Sequence, residues 1–155
     1  MDIRKVRVDN DIFLSKVRDM LRSGDHKSVT FVVRGNSMNP FLACGRDKVV
    51  LVPPQKPVVG QVILAEFKPK VYALHRIIKI DGNTITMRGD GNILSQKEII
   101  DISNIVGTAE AFIRKGKRVD TNGIKWRMYS ATWHFLRHIR RPLLSFYRRD
   151  VLKLY

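Results

Sequence analysis

Between residues 28 and 114, the chain alternates short runs of β-branched and aromatic residues with turn residues. Val, Ile, Thr, Tyr and Phe favour strands, whereas Gly, Pro, Asn and Asp favour the turns between them. Asp81-Gly82-Asn83, which separates two of the runs, is typical of a tight hairpin. The pattern predicts a mainly β chain, a compact antiparallel sheet or barrel-like domain. The six runs cover residues 28–34, 47–53, 59–67, 71–80, 83–89 and 104–114.

Helical patterns flank this β-domain on both sides. Asp9-Asn10-Asp11 supplies N-cap candidates for a helix over 11–22, which Gly24 would end. A second pattern over 124–141 spaces aromatic and aliphatic residues as a helix does, and Pro142 can open a further short helix over 143–155. We therefore divide the chain into an N-terminal helical segment (1–27), a β-domain (28–117) and a basic amphipathic helical tail (118–155).

Most of the positive charge lies near the C-terminus. The formal net charge is +15, yet residues 1–113 hold 17 basic and 12 acidic side chains, while residues 114–155 hold 12 and 2. Such a tail has three interpretations. Its stripe of Trp126, Tyr129 and Trp133 packs on the β-domain, or lies at the headgroups of an anionic membrane, or the tail binds nucleic acid. No recognised motif supports the third, and the pattern leaves the oligomeric state open.

The rest of the composition excludes several classes of protein. Cys44 is the only cysteine, and no histidine-rich motif is present, so we expect no disulfide, no metal and no cofactor. No run of 18 apolar residues is present, and the charged N-terminus lacks the apolar core of a signal peptide. We expect a cytoplasmic protein, which can also lie peripherally on the inner face of the membrane.

A serine stands where a strand pattern runs into a turn. The segment 31–40 reads FVVRGNSMNP, with Gly35 at the end of the strand, Ser37 just beyond it and Pro40 closing the turn. Such a turn can hold a hydroxyl away from the sheet and leave backbone N–H groups free for an oxyanion. Serines in turns of this composition are more often turn formers than nucleophiles, so the segment alone decides nothing.

A histidine interrupts an apolar row on the predicted strand 71–80. Alternation places His75 on the same face as Val71, Ala73 and Ile77. The imidazole there is either a core histidine with satisfied hydrogen bonds or, beside a serine, a general base.

The order of short motifs along residues 28–114 resembles that of the type I signal peptidases and the related LexA-like serine peptidases. No single motif carries the resemblance, which rests on six of them in the same order at plausible spacing. They are Gly35-Asn36-Ser37-Met38-Asn39-Pro40, Gly45-Arg46-Asp47, Val59-Gly60-Gln61-Val62, His75-Arg76, Arg88-Gly89-Asp90-Gly91-Asn92 and Ile105-Val106-Gly107.

The resemblance implies a role for each matching residue. Ser37 matches the nucleophile, and His75 occupies the position of the base, which is lysine in bacterial members and histidine in the endoplasmic-reticulum and archaeal branch. Gly35, Asn36 and Met38 are the candidate oxyanion and substrate-binding residues. The histidine branch has a further acidic pair where this chain reads Ile93-Leu94-Ser95-Gln96. Asp90 therefore either orients His75 or caps its own turn, and Asp101 is a remoter candidate.

The implied function is that of a serine endopeptidase with a Ser-His or Ser-His-Asp site. Its substrate would be an extended peptide with small residues before the cleaved bond. Only 36 residues precede Ser37, without an Ala-Gly or Cys-Gly bond among them, which argues against a self-cleaving repressor. The alternative is a catalytically inactive, peptidase-like binding module whose basic tail binds membrane or nucleic acid.

Overall fold

The computed structural model describes residues 10–25, 27–92, 96–136, 139–147 and 149. Within them the protein is mainly β, as predicted, and its strands form one antiparallel sheet of eight. The strands are β1 (Val29–Val32), β2 (Lys48–Val52), β3 (Val62–Lys68), β4 (Val71–Asp81), β5 (Thr84–Arg88), β6 (Glu98–Asp101), β7 (Ile105–Arg114) and β8 (Lys117–Asp120).

The order of the sheet is β1-β2-β7-β3-β4-β5-β6, and β8 pairs with β7. The predicted hairpin joins β4 to β5, with Asp81 opposite Thr84. Two short strands, β6 and β8, were absent from the prediction, because the sequences EIID and KRVD are too short and too charged to show an apolar alternation. Both lie at the border of the sheet, where half of the side chains face water.

In the described ranges three α-helices accompany the sheet: α1 (Asn10–Arg22), α2 (Ile124–Phe135) and α3 (Arg140–Phe146). The predicted N-terminal helix agrees with α1, although its N-cap candidate Asp9 lies outside the described residues. A single helix was expected over 124–141. In the structure α2 ends at Phe135, and the last residues of that range belong to α3. Of the short helix expected over 143–155, α3 covers the first residues, and 151–155 lie outside the described part.

The sheet carries an apolar cluster on each face. The larger one combines β-strand side chains with Leu14, Val17 and Leu21 of α1 and Trp126 of α2. The smaller one lies among β3, β4, β5, β6 and β7 and includes Ile77. The N-terminal helix and the first tail helix thus share a core with the β-domain, and β8, which begins at Lys117, extends the sheet into the predicted tail.

Candidate active site

The loop between β1 and β2 carries Ser37 and is fixed by apolar side chains on either side of it. Met38, Phe41 and Leu42 are buried in the larger cluster, and the Phe41 ring packs against Phe112 with centroids 5.3 Å apart. Two turn hydrogen bonds close the loop, from Asn39 N–H to the Asn36 carbonyl (3.1 Å) and from Leu42 N–H to the Met38 carbonyl (3.0 Å). The half-buried Ser37 therefore sits on a rigid base.

The far end of the same loop is anchored by Asp47, whose side chain is fully buried. Its carboxylate accepts hydrogen bonds from the Arg46 guanidinium (2.7 Å), the Ala43 N–H (2.8 Å) and the Lys115 N–H (3.3 Å). Burial alone would raise the pKa of Asp47, but these hydrogen bonds outweigh burial and lower it. The loop is thus held by a charged anchor as well as by its apolar side chains.

The Ser37 backbone and the His75 ring both lie close to Gly89, just beyond the end of β5. A Cβ on Gly89 would overlap the Ser37 carbonyl oxygen and would lie 3.0 Å from His75 Nε2. Only a glycine lets the three segments approach so closely. The Gly91 N–H then donates to the same Ser37 carbonyl at 2.7 Å, which ties the turn after β5 to the serine loop.

The second ring nitrogen of His75 is held by Glu98, the first residue of β6. The distance from Nδ1 to Glu98 Oε2 is 2.7 Å, and both side chains are largely buried. Strand pairing explains the contact: His75 shares a face of the sheet with Ile77, which is opposite Met87, and Met87 is opposite Glu98. Because a carboxylate oxygen accepts, Nδ1 is the donor in this contact, and Nε2 is the ring nitrogen that lies beside Gly89.

The prediction that Asp90 orients His75 is wrong in this structure. Both Asp90 carboxylate oxygens accept from the Arg76 guanidinium, at 2.8 and 2.6 Å, in a buried bidentate pair. Burial acts to lower the pKa of Arg76, but the charge and hydrogen bonds of Asp90 raise it overall. Asp101 also lies elsewhere, capping a short 3-10 turn through the Ser103 N–H.

Glu98 was not predicted from the sequence, because the resemblance places the orienting acid immediately after the Gly89–Asn92 turn. The stretch that corresponds to that acidic pair ends at Gln96, two residues before Glu98. The local signal is weak: a glutamate stands before Ile99 and Ile100, in a run too short and too charged to be predicted as a strand. Without knowing that this run pairs with β5, nothing in the sequence places its carboxylate beside His75.

The candidate oxyanion and substrate residues occupy distinct positions around Ser37. Gly35 has a φ of +84°, a left-handed conformation that favours glycine, and Asn36 is exposed. Met38 is buried and contributes to the floor of the groove described next. Within the described residues, no acceptor is bound to the Ser37 N–H, which leaves this donor for an oxyanion.

A groove of about 1100 Å³ opens in front of the serine. Apolar residues dominate its walls, and Ser37, His75 and Glu98 lie along it. Among the hydrogen bonds of the described residues, none joins Ser37 Oγ to His75, and such contacts often close only when substrate binds. The lining includes Phe13 and Leu14 of α1, Phe31, Val32 and Val33 at β1, and Tyr72, Ala73 and Leu74 of β4.

The first tail helix reaches this region from the other side of β4. Tyr129 donates its hydroxyl to Asp90 Oδ2 (3.1 Å), and Trp133 Nε1 donates to the Asp90 carbonyl (3.0 Å). Arg76 donates to Ser130 Oγ at 2.8 Å and lies 4.7 Å from the centre of the Trp126 ring. Of the three interpretations of the tail, the packing of its aromatic stripe on the β-domain is confirmed for α2.

Comparison with known proteins adds no relative: no family model matches the chain, and no curated protein matches it. None of the helices in the described ranges is long and apolar enough to cross a membrane.

Proposed function

We propose that the protein is a serine endopeptidase of the signal-peptidase or LexA-like type, with Ser37 as nucleophile, His75 as general base and Glu98 as the residue that orients the base. The observation that carries the proposal is the meeting at Gly89, where His75 Nε2 and the Ser37 backbone flank one point while Glu98 holds Nδ1. Among the hydrogen bonds of the described residues, only Nδ1 of the two ring nitrogens has a partner, and Nε2 lies beside Gly89.

The proposed reaction proceeds in two halves. His75 Nε2 takes the Ser37 hydroxyl proton as Oγ attacks the peptide carbonyl carbon, and the Ser37 N–H stabilises the oxyanion. His75 then protonates the leaving amine, and an acyl-enzyme remains. A water molecule gives a proton to His75 and attacks the ester, and collapse of the second intermediate releases the acid and restores the Ser37 hydroxyl. Glu98 accepts the hydrogen bond from Nδ1 and stabilises the imidazolium.

The position of the groove supports an extended peptide as substrate. Strand β1 lies at the edge of the sheet and pairs with β2 on one side, so its other side can accept a further strand. Phe31 and Val32 of β1 line the groove together with Ser37. A peptide added beside β1 would bring its backbone carbonyl to the serine, while the apolar walls would take its side chains.

Labelling with a fluorophosphonate probe tests the proposal. The native chain should be labelled, and both Ser37→Ala and His75→Ala should lose the labelling. Ser23→Ala, which removes an exposed serine beyond α1, is the matched control and should be labelled as the native chain is. Labelling of Ser37→Ala at the native rate would reject the nucleophile.

A catalytically inactive peptide-binding module is the second candidate. It is favoured by the lack, among the described residues, of a hydrogen bond from Ser37 Oγ to His75. Incubation with a peptide library, followed by mass spectrometry, separates the two candidates. Retention of intact peptides, equal for the native chain and Ser37→Ala, would support the module, whereas new termini that require Ser37 would support the peptidase.

A further inference from the structure

Helix α2 has two apolar sides. Its buried side consists of Trp126, Tyr129, Ser130 and Trp133, at the three- and four-residue spacing of one helix face. Ile124, Met128, Ala131 and Phe135 repeat the same spacing on the opposite side, and we call them the outer ridge. The three large side chains of the outer ridge are 75%, 65% and 84% exposed.

The large apolar side chains of the outer ridge are exposed to a degree that is unusual for a run of neighbouring apolar residues. Single exposed apolar residues are common on protein surfaces, but a ridge that follows a helix for three turns usually marks an interaction surface. The next helix repeats the pattern, since Ile139, Leu143 and Phe146 are 48%, 40% and 58% exposed at spacings of four and three. Two successive helices thus leave an apolar stripe uncovered.

Cations flank the outer ridge on both sides. At 3.6 residues per turn, Lys125 and Arg127 fall to the left and right of the line through Ile124 and Met128, and both are exposed. The surrounding segment, residues 114–155, contains 12 basic and 2 acidic residues. An apolar ridge bordered by cations is the arrangement by which a helix lies in the interface of an anionic bilayer.

We propose that the outer ridge of α2, together with the stripe on α3, docks the protein on an anionic lipid surface. This assignment changes which side of the tail meets the membrane. The sequence pattern suggested Trp126, Tyr129 and Trp133 at the headgroups, but Trp126 and Trp133 are buried in the protein. Met128 and Phe135, on the opposite side, are the side chains that enter the lipid.

Charge favours lipid over a second copy of the chain as the occupant. A symmetric contact between two outer ridges would bring Lys125 and Arg127 of each copy against those of the other, and like charges repel. Anionic headgroups instead neutralise these cations while the acyl region covers the apolar side chains. The proposal concerns the tail surface and does not depend on the peptidase activity proposed above.

Flotation of the full chain with vesicles tests the proposal. We expect binding to phosphatidylcholine vesicles that contain about 30 mol % phosphatidylglycerol, and little binding to pure phosphatidylcholine. The double variant Met128→Gln/Phe135→Gln should lower the partition coefficient about tenfold or more. Lys125→Gln/Arg127→Gln should lower it about fivefold for each charge removed.

A matched control removes two exposed apolar side chains elsewhere. Val58→Gln/Ile99→Gln, at positions 54% and 62% exposed in the β-domain, should partition as the native chain does. Equal partitioning of the native chain and both tail variants would overturn the proposal. So would a dimer, seen by sedimentation without lipid, that Met128→Gln/Phe135→Gln dissociates, because the ridge would then be a protein interface.

Discussion

Glu98 is the residue whose replacement distinguishes a catalytic histidine from a structural one. Its carboxylate lies 2.7 Å from His75 Nδ1, whereas Nε2 is the ring nitrogen near Gly89 and the Ser37 backbone. In the proposed peptidase Glu98 is a positioning residue.

We predict that Glu98→Gln lowers the rate of fluorophosphonate labelling about 10²-fold or more, because an amide neither balances an imidazolium nor enforces the Nδ1–H tautomer. Glu66→Gln is the matched control, since Glu66 also accepts a side-chain hydrogen bond, from Arg18, at 3.1 Å. The control should label at the native rate. Native labelling by Glu98→Gln, with an unchanged pH profile, would show that the carboxylate has no part in the reaction.

Asp47 gives a second prediction at this scale, which concerns pH. Its pKa is lowered in the folded protein and is about 3.8 in the unfolded chain. The folded state thus favours the ionised form, and the stability that this form contributes is complete above pH 3.8 or so. It is lost as the pH falls through the lower, folded pKa. We expect the urea concentration at the midpoint of unfolding to decrease as the pH is lowered through that range.

The variant Asp47→Asn should remove this part of the pH dependence. At neutral pH it should lower the free energy of unfolding by about 1–3 kcal/mol, because the amide cannot replace the charged hydrogen bonds to Arg46. Asp81→Asn, at an exposed site of the β4–β5 hairpin, is the control and should keep the native pH profile. Identical acid profiles for Asp47→Asn and the native chain would contradict the assignment.

The sequence carried different amounts of information about the individual site residues. Ser37 and His75 could be proposed because they lie in two of the ordered motifs that resemble those of the signal peptidases and LexA-like peptidases; the turn around Ser37 and the apolar row around His75 left each role open. Glu98 could not, because its place beside His75 depends on pairing between β5 and β6, which are separated by a loop. Asp90 was one of two alternatives, an orienting residue or a turn cap, because it is the only carboxylate that matches the motif; its two oxygens instead pair with the buried Arg76.

At the scale of elements, α2 belongs to the core although the sequence marks it as a tail. Trp126 packs between Phe41 and Phe112, at ring-centre distances of 4.6 and 4.8 Å. The helix therefore covers the side chains that fix the serine loop.

We predict that Trp126→Ala lowers the free energy of unfolding by about 3–5 kcal/mol, the cost of a large cavity among buried aromatic residues. Phe135→Ala, a substitution of similar size at an exposed position of the same helix, should change it by less than about 0.5 kcal/mol. Urea unfolding followed by circular dichroism measures both. Similar small effects for the two variants would mean that α2 does not form part of the core.

The six predicted strands and their hairpin follow from local signals, namely β-branched runs and turn residues. The break between α2 and α3 does not, since the apolar spacing continues from Trp133 to Ile139 across it. The sequence holds no stop signal at Phe135, where α2 ends.

At the scale of the whole molecule, the described sheet and α2 should unfold as one unit. The two tryptophans of the chain, Trp126 and Trp133, both lie in α2, whereas most of the regular secondary structure lies in the sheet. Tryptophan fluorescence therefore reports on the helix, and far-ultraviolet circular dichroism reports mainly on the strands.

We predict that the two signals change at the same urea concentration, because Arg76, Asp90 and the aromatic cluster join the helix to the sheet. A fluorescence transition at a clearly lower urea concentration would show that α2 undocks before the sheet unfolds. Phe135→Ala provides a reference in which both transitions should stay together.

His75 and Arg76 are neighbours in β4, and alternation sends them to opposite faces of the sheet. His75 forms a hydrogen bond with Glu98 and lies beside Gly89, as the Ser37 backbone does. Arg76 forms hydrogen bonds with Asp90 and with Ser130 of α2. A one-residue slip of β4 against β3 would turn each of them to the other face of the sheet. An insertion of one residue in β4 before position 75 would therefore separate His75 from Glu98 and Arg76 from Asp90 together, whereas a two-residue insertion would preserve which face each side chain occupies.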